Sequence, residues 1–296
     1  MDLEKQAIQR IKTASEMSFA HYGQPLVLAD SGGKDSAVCR ELLMRSGESF
    51  EVIHNLTTAD APQTIYYVRD RFRELEDMGI SCAVNRPVYQ ELPTTMWQLI
   101  PQKKIPPTRT ARYCCEILKE SGGNGRFLVT GVRWAESRKR RNGRGIYERN
   151  AKPQKSRIIL SNDNDDRRRL FESCRVYSKH VCNPVIDWRD RDIWEYIRAE
   201  HIYLNPLYEM GFLRVGCIGC PMAGKSRYKE FALFPTYKGA YIRAFDRMLE
   251  NRKREGKSDT TRSWKSGEAV FRWWMEDPNV EGQIELMIDK DNEIYY

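Results

Sequence analysis

The sequence predicts an α/β protein: a parallel sheet flanked by helices, with a mainly helical C-terminal extension. Three observations carry that prediction. Short apolar runs bounded by turn residues alternate with amphipathic stretches through the first 130 residues, the pattern of parallel strands joined by crossover helices. A chain of 296 residues that is 41% hydrophobic can bury a large core. From Tyr228 to Trp274 the composition turns aromatic and helical, without strand-like runs.

The elements follow in order. Leu3, Ala7, Ile8, Ile11 and Ala14 recur at three- and four-residue spacing and predict a helix over 3–20. Residues Pro25–Ala29 form a short apolar run, read as a buried strand. Ser36–Ser46 reads as a helix stopped at Gly47. Phe50–Asn55 is the second strand and Pro62–Met78 a charged helix opened by proline. Ile80–Val84 and Phe127–Thr130 are the third and fourth strands. Residues 138–157 hold nine Arg or Lys with two Gly and one Pro, so they are expected as an exposed loop, and residues 161–169 are similarly polar. Pro184–Asp187 leads into a helix over Asp190–Glu200, with Trp194 and Ile197 on one side. Trp188, Trp194, Trp273 and Trp274 are expected in the core rather than as stacking platforms. A boundary at residue 225 divides a site-bearing domain, 1–225, from a helical extension, 226–296.

Composition narrows the function classes. With 30% charged residues the chain is neither fibrous nor disordered, and no run approaches the roughly 20 apolar residues that span a bilayer. The segment from Met1 is charged from its second residue, unlike a secretory leader, so no membrane partner and a cytoplasmic location are expected. The net charge of +8 favours polyanionic partners without establishing one. Eight cysteines are too few for a disulfide scaffold, and in a reducing compartment they bind metal or do chemistry. The four His show no HExxH-type spacing, which argues against a His-based hydrolytic metal site.

The strongest local signal is Ser31-Gly32-Gly33-Lys34-Asp35-Ser36, between an apolar strand and a helix. Its glycines permit a tight turn that brings successive N–H groups against a phosphate, and the helix N-terminus adds partial positive charge. Lys34 supplies a point charge, and Asp35 is the candidate to hold Mg²⁺. The second signal is cysteine pairing, Cys114-Cys115 and Cys217-Ile218-Gly219-Cys220. Four thiolates in two pairs suit an iron–sulfur cluster or a structural zinc, and adjacent cysteines are awkward for zinc. Cys39, Cys82, Cys174 and Cys182 lack such spacing and read as small buried hydrophobes. Residues 219–226 also fit GxxxxGK[ST]. A loop whose Cys220 ligates a cluster cannot also wrap a triphosphate, and the Walker B candidate over 284–289 is interrupted by Glu285.

The hexapeptide resembles the SGGxDS loop of the PP-loop ATP pyrophosphatases, which have an adenine-nucleotide α-hydrolase-like fold. The likeness continues in order along the chain. Thr130–Ser137 (TGVRWAES) resembles the TG(I/L)RxxES segment of the sulfonucleotide-reductase-like branch. Asn183–Trp188 with Asp192-Ile193-Trp194 resembles its NPxxDW…D(V/I)W stretch, and Asn205–Tyr208 with Gly211-Phe212 its NPLYxxGF. The paired cysteines resemble the [4Fe–4S] site of assimilatory adenylylsulfate reductases. The resemblance implies cleavage of ATP between the α and β phosphates. ATP contacts are expected at Ser31–Ser36, Gly131 and Arg133, with Lys34 and Asp35 catalytic and Cys114, Cys115, Cys217 and Cys220 holding the cluster.

Three functions are compatible with these motifs. Sulfonucleotide reductases attack with a cysteine on a mobile C-terminal tail, and no cysteine follows Cys220 here. The phosphorothioation pyrophosphatases of the DndC and SspD type resemble this chain more closely, joining a PP-loop to an iron–sulfur site. That likeness implies a DNA acceptor, with tRNA thiolation a close variant, and a cysteine desulfurase or other persulfide donor as partner. Arg138, Lys139, Arg140, Arg141 and Arg144 are the expected DNA contacts. The third reading is a non-enzymatic nucleotide- or nucleic-acid-binding module with a structural cluster.

Overall fold

The computed structural model describes residues 2–120, 122–123, 125–150, 158–161, 163, 179–256 and 264–276. The chain opens with α1 (Leu3–Tyr22), capped by Asp2 and ended by left-handed Gly23. Next come β1 (Leu26–Ala29), α2 (Lys34–Ser46), β2 (Phe50–Asn55), α3 (Pro62–Asp77) and β3 (Cys82–Asn85). A small hairpin, β4 (Val88–Tyr89) and β5 (Leu92–Pro93), leads to α4 (Met96–Lys103) and α5 (Tyr113–Leu118). The chain continues through β6 (Phe127–Val129), α6 (Arg138–Gly143), β7 (Tyr147–Asn150), β8 (Ile158–Leu160), β9 (Lys179–Cys182) and α7 (Asp190–Ala199). It closes with α8 (Ser226–Leu233), α9 (Pro235–Arg254) and α10 (Gly267–Met275).

Among the described residues the main sheet has seven strands in the order β3-β2-β1-β6-β9-β7-β8. The first five run parallel, and β7 pairs antiparallel with both β9 and β8. Fold class is therefore as expected: a mainly parallel sheet flanked by helices, with helices toward the C-terminus. From β1 the chain steps outward through β2 to β3, then returns to the opposite side of β1 as β6. That reversal makes the C-terminal ends of β1 and β6 a topological switch point, where open α/β sheets bind ligands.

Contacts divide the described chain into two units. The first comprises the described residues of 1–55, 62–85 and 122–215, and the second those of 56–61, 86–121 and 216–296. In the first unit Leu26, Leu28, Val38, Leu42, Val52, Phe127 and Val129 form the core between sheet and helices, with Trp188 buried beside them. The second unit packs Phe231, Tyr241, Phe245 and Trp274 into one aromatic cluster, with the Tyr241 and Trp274 rings 4.7 Å apart. Trp194 and Trp273, expected in the core, are only half-buried. Among the described residues no helix is long and apolar enough to cross a membrane.

The expected exposed loop over 138–157 is corrected by the structure. Its first part is helix α6, where Ser137 Oγ accepts the Arg140 N–H at 3.2 Å. Its middle is strand β7, buried despite its charges. Glu148 is fully buried because Arg144 Nε at 2.6 Å and Asn183 Nδ2 at 2.8 Å both donate to it. Charge pairing, invisible to a count of polar residues, turned a predicted loop into sheet. Residues 151–157, most of 161–169, Cys174 and the Walker B candidate lie outside the described residues.

Candidate functional site

In the first unit β1 delivers the chain to Asp30, whose buried carboxylate organises the loop that follows. It accepts the Gly32 N–H at 2.8 Å, the Ser36 hydroxyl at 2.9 Å and Arg40 NH1 at 2.7 Å. Its carbonyl accepts His54 Nδ1–H at 2.8 Å. Gly32 has φ +72°, and a Cβ there would stand 3.0 Å from Thr64 Cγ2, so both conformation and space require glycine. Asn205 Nδ2 donates to Gly32 O at 3.2 Å and to Thr64 Oγ1 at 3.0 Å. The loop is held open toward the first turn of α2, whose N–H groups have no intrahelical partner. Ser31 Oγ lies 3.3 Å from Ser36 Oγ. Gly131, after β6, packs on this helix start. A Cβ there would sit 2.7 Å from the Asp35 carbonyl carbon.

Charges alternate at the mouth of this cradle. Lys34 Nζ lies 3.4 Å from Asp35 Oδ2 and 3.3 Å from Asp190 Oδ1. The buried Arg133 guanidinium spans the same two carboxylates, at 2.7 Å from Asp35 Oδ1 and 2.9 Å from Asp190 Oδ1. Burial opposes ionisation of Asp190, but Lys34 and Arg133 outweigh it and hold the carboxyl below its usual range. Tyr208 OH accepts the Lys34 N–H at 2.8 Å, and Lys34 Nζ stands 6.0 Å over the Trp194 ring. Two cations and the start of α2 thus stand beside two carboxylates, a set of groups that suits a polyphosphate with a hard divalent cation.

In the second unit Cys114, Cys115, Cys217 and Cys220 line one small pocket. Met96, Pro107, Leu118, Pro221 and Tyr241 give it apolar walls, and Lys119 supplies its positive charge. A hydrogen bond from the Cys114 thiol holds Cys115 below the ordinary thiol range against burial, and Arg112 NH2 at 3.4 Å adds to it. The same pairing pushes Cys114 up. Burial raises Cys217, whose thiol meets Thr57 Oγ1 at 3.3 Å. Attraction to Cys217, then to Cys220 and Cys115, holds Lys119 firmly protonated against its burial. Among the described residues no three His, Cys, Asp or Glu converge closely enough to bind a single metal ion. A [4Fe–4S] cluster makes a different demand, because its four thiolates surround the cluster instead of meeting at a point. Four thiols around one largely apolar cavity fit that donor set. In the GxxxxGK[ST] segment the Gly219 N–H goes to Glu230 Oε2 at 2.7 Å, and those of Cys220 and Ala223 to backbone carbonyls.

A family model described as the phosphoadenosine phosphosulfate reductase domain matches residues 25–223. The chain belongs to that family. An uncharacterised protein of Methanocaldococcus jannaschii is 28% identical over 261 residues, covering 86% of this chain and 54% of that protein. A second from the same organism is 27% identical over 230 residues, covering 74% and 40%. The chain thus spans about half the length of these first curated relatives. The phosphoadenosine 5′-phosphosulfate reductase of Proteus mirabilis is 24% identical over 217 residues, 72% of this chain and 76% of that one. Among solved structures, phosphoadenylyl-sulfate reductase of Candida auris in a phosphate complex is similar at TM-score 0.43 and 13% identity, covering 71% and 87%.

Within this phosphoadenosine phosphosulfate reductase domain the motif residues of the first unit, Ser31–Ser36, Gly131 and Arg133, come together at one helix start, and the four cysteines come together in the second unit. The basic residues divide. Arg138 and Arg141 are exposed, Arg140 is paired with Glu136, and Arg144 is committed to buried Glu148. The Lys139 side chain lies outside the described residues. Cys39 and Cys182 are buried, as expected, and Cys82 is half-buried. Sequence reasoning missed Asp30, Arg40, Asp190 and Lys119. Asp30 directly precedes the hexapeptide and Lys119 follows the cysteine pair by four residues, so their placement was the one available signal.

Proposed function

We propose that the chain is an ATP pyrophosphatase that adenylates a nucleic acid, a DNA backbone phosphate, for sulfur incorporation. The observation that carries the reading is the cradle at the start of α2, where Lys34 and Arg133 face the helix N-terminus and Gly131 lets β6 close on it. ATP phosphates replace the carboxylate partners of those cations, freeing Asp35 and Asp190 to hold Mg²⁺. A non-bridging oxygen of the acceptor phosphate then attacks the α-phosphorus. Pyrophosphate leaves with its charge balanced by Lys34. A phosphate oxygen is a poor leaving group, and adenylation converts it into AMP; the terminal sulfur of a persulfide displaces AMP, and a second thiol then cleaves the resulting P–S–S–R bond, leaving the phosphorothioate and a disulfide. A cysteine desulfurase or another persulfide carrier is the proposed donor, and the pairing of a phosphate loop with four clustered cysteines, as in the DndC and SspD type, supports the reading. Cys114, Cys115, Cys217 and Cys220 would hold a [4Fe–4S] cluster, which when bound supplies electron transfer and sulfide handling.

The test is product analysis with ATP, Mg²⁺ and DNA under anaerobic conditions. AMP and pyrophosphate are expected, and Lys34→Ala abolishes them while the protein stays folded by circular dichroism. Sulfite released from adenylylsulfate or its 3′-phosphate would instead assign a reductase. ADP with inorganic phosphate would overturn the PP-loop assignment altogether.

A further inference from the structure

The turn Asn205–Tyr208 grips the phosphate loop at two points. Asn205, 1% exposed, donates through Nδ2 to Gly32 O at 3.2 Å and accepts the Leu207 N–H of its own turn at 3.0 Å. Three residues on, Tyr208 N–H closes the turn on Asn205 O at 3.0 Å. The Tyr208 side chain then reaches the other end of the same loop, where its hydroxyl oxygen accepts the Lys34 N–H at 2.8 Å. Lys34 is the first residue of α2, so this amide is one of the donors that a helix start offers to an anion. A phenol oxygen stands where a phosphate oxygen binds a helix start.

Two readings of that contact differ in sign. The phenol is either a plug that phosphate must displace or a fixed part of the cradle. The packing favours the second. The Tyr208 ring meets the Trp194 ring edge-on, with centroids 5.6 Å apart, and Lys34 Nζ lies over the same indole at 6.0 Å. Swinging the phenol out would cost this ring contact as well as the hydrogen bond. The hydroxyl also has one function left. As an acceptor it is used by the Lys34 N–H and by a backbone hydrogen bond from Val215. Its proton has no acceptor among the described residues. Burial outweighs the Lys34 hydrogen bond and pushes the phenol up to about 12, so it keeps that proton at neutral pH. An oxygen that accepts N–H bonds is a stronger O–H donor, because hydrogen bonds in a chain polarise one another.

We infer that Tyr208 is a phosphate ligand, its hydroxyl donating a hydrogen bond to an oxygen of the pyrophosphate half of ATP beside the Lys34 ammonium. The Lys34 amide then acts on the nucleotide through the phenol instead of touching it. The inference rests on the ATP pyrophosphatase reading of the cradle and adds a neutral donor to it. Negative charge grows on the pyrophosphate as it leaves, and a fixed O–H donor there strengthens its contact at that moment.

The probes are magnesium pyrophosphate, ATP and AMP, each displacing a fluorescent ATP analogue from the intact protein. Tyr208→Phe keeps the ring against Trp194 and removes the oxygen. It is expected to weaken pyrophosphate and ATP by about tenfold, the order for one hydrogen bond to a charged group, and to leave AMP within about twofold. Tighter pyrophosphate binding would make the phenol a plug and overturn the inference, as would unchanged binding. A loss shared equally by AMP would make Tyr208 a scaffold of the site and overturn it too. A second variant, Tyr208→3-fluorotyrosine, carries a more acidic phenol that donates better and accepts worse. It should bind pyrophosphate more tightly at neutral pH. A phenol that only holds the Lys34 N–H predicts the opposite, so weaker or unchanged binding overturns the inference even if Tyr208→Phe does not fold. Product release from ATP with DNA separates the two claims. If pyrophosphate affinity follows the phenol but no AMP forms, the contact stands and the reaction falls. If AMP and pyrophosphate form while both variants bind like the parent, the reaction stands and the contact falls. Protein that binds neither ATP nor pyrophosphate overturns both.

Discussion

Asp30 and Arg40 form an ion pair at 2.7 Å, with both side chains nearly inaccessible, directly beneath the phosphate loop. Removing one partner of such a pair leaves an uncompensated buried charge, which costs about 3–5 kcal/mol. Asp30→Ala should therefore lose stability of that order in urea denaturation, and its ATP affinity should fall, because Gly32 N–H and Ser36 Oγ lose their acceptor. A variant as stable as the parent would show that the pair carries no such weight. Only its place directly before the hexapeptide marks this aspartate in the sequence, since its partners Arg40 and His54 come from other elements. His180 offers a second test at this scale. It is buried, with its ring stacked on Phe127 at 5.4 Å and on His21 at 5.1 Å. Burial, then His21 and Arg149, pushes its pKa from 6.5 down to about 3. Between those values the unfolded chain binds the proton and the folded chain does not. This contribution is fully present above pH 6.5 and is lost on acidification, by at most about 1.4 kcal/mol per pH unit. His180→Phe should flatten the stability profile in that window, and equal slopes for parent and variant would exclude His180 as the group.

At the scale of elements, hydrophobic runs located β1 and the start of β6 to within a residue, because parallel strands buried on both faces read as continuous apolar segments, while β2 alternates buried and half-buried positions. Helix α2 begins at Lys34, two residues before its expected start, with Gly33 as its N-cap. Strands β7 and β9 were not legible. Their sequences, YERN and KHVC, hide charged and polar side chains in the sheet, where Arg144, Asn183 and Tyr22 supply the partners. The same pairing changes how the basic run is to be tested. Arg144→Ala strips a donor from fully buried Glu148, so it should cost about 1–3 kcal/mol in thermal or chemical unfolding. Arg138→Ala and Arg141→Ala, both at exposed positions, should stay within about 0.5 kcal/mol of the parent. That pair is therefore the clean probe of the proposed DNA contact, whereas a variant that includes Arg144 mixes binding with folding. Unfolding curves that coincide for all three single variants would contradict the buried pairing of Arg144.

At the scale of the whole molecule, the second unit draws on three stretches of chain, and its cysteine pairs come from two of them, 86–121 and the part after 216. The paired spacing made those four residues legible as a set. Lys119 acts chiefly on Cys217 of the other stretch, so beyond its place after the first pair only the fold reveals it, whereas Arg112 meets Cys115 within its own stretch. A cluster held by Cys114, Cys115, Cys217 and Cys220 would cross-link the two stretches, so its binding free energy would add to the stability of that unit. The phosphate cradle draws all its residues from the first unit and should not depend on iron. Anaerobically purified protein is thus expected to be brown and to contain iron and sulfide in equal amounts. Removing the iron with a chelator should lower the melting temperature by about 4 °C for each kcal/mol of binding free energy lost. Binding of a fluorescent ATP analogue, measured at low temperature, should survive that removal. Each single Cys→Ser change should reduce iron content, Cys217→Ser included, although its thiol is the most buried of the four. Colourless protein with one stoichiometric zinc would replace the cluster by a single ion. Iron content untouched by all four substitutions would place the metal elsewhere in the chain.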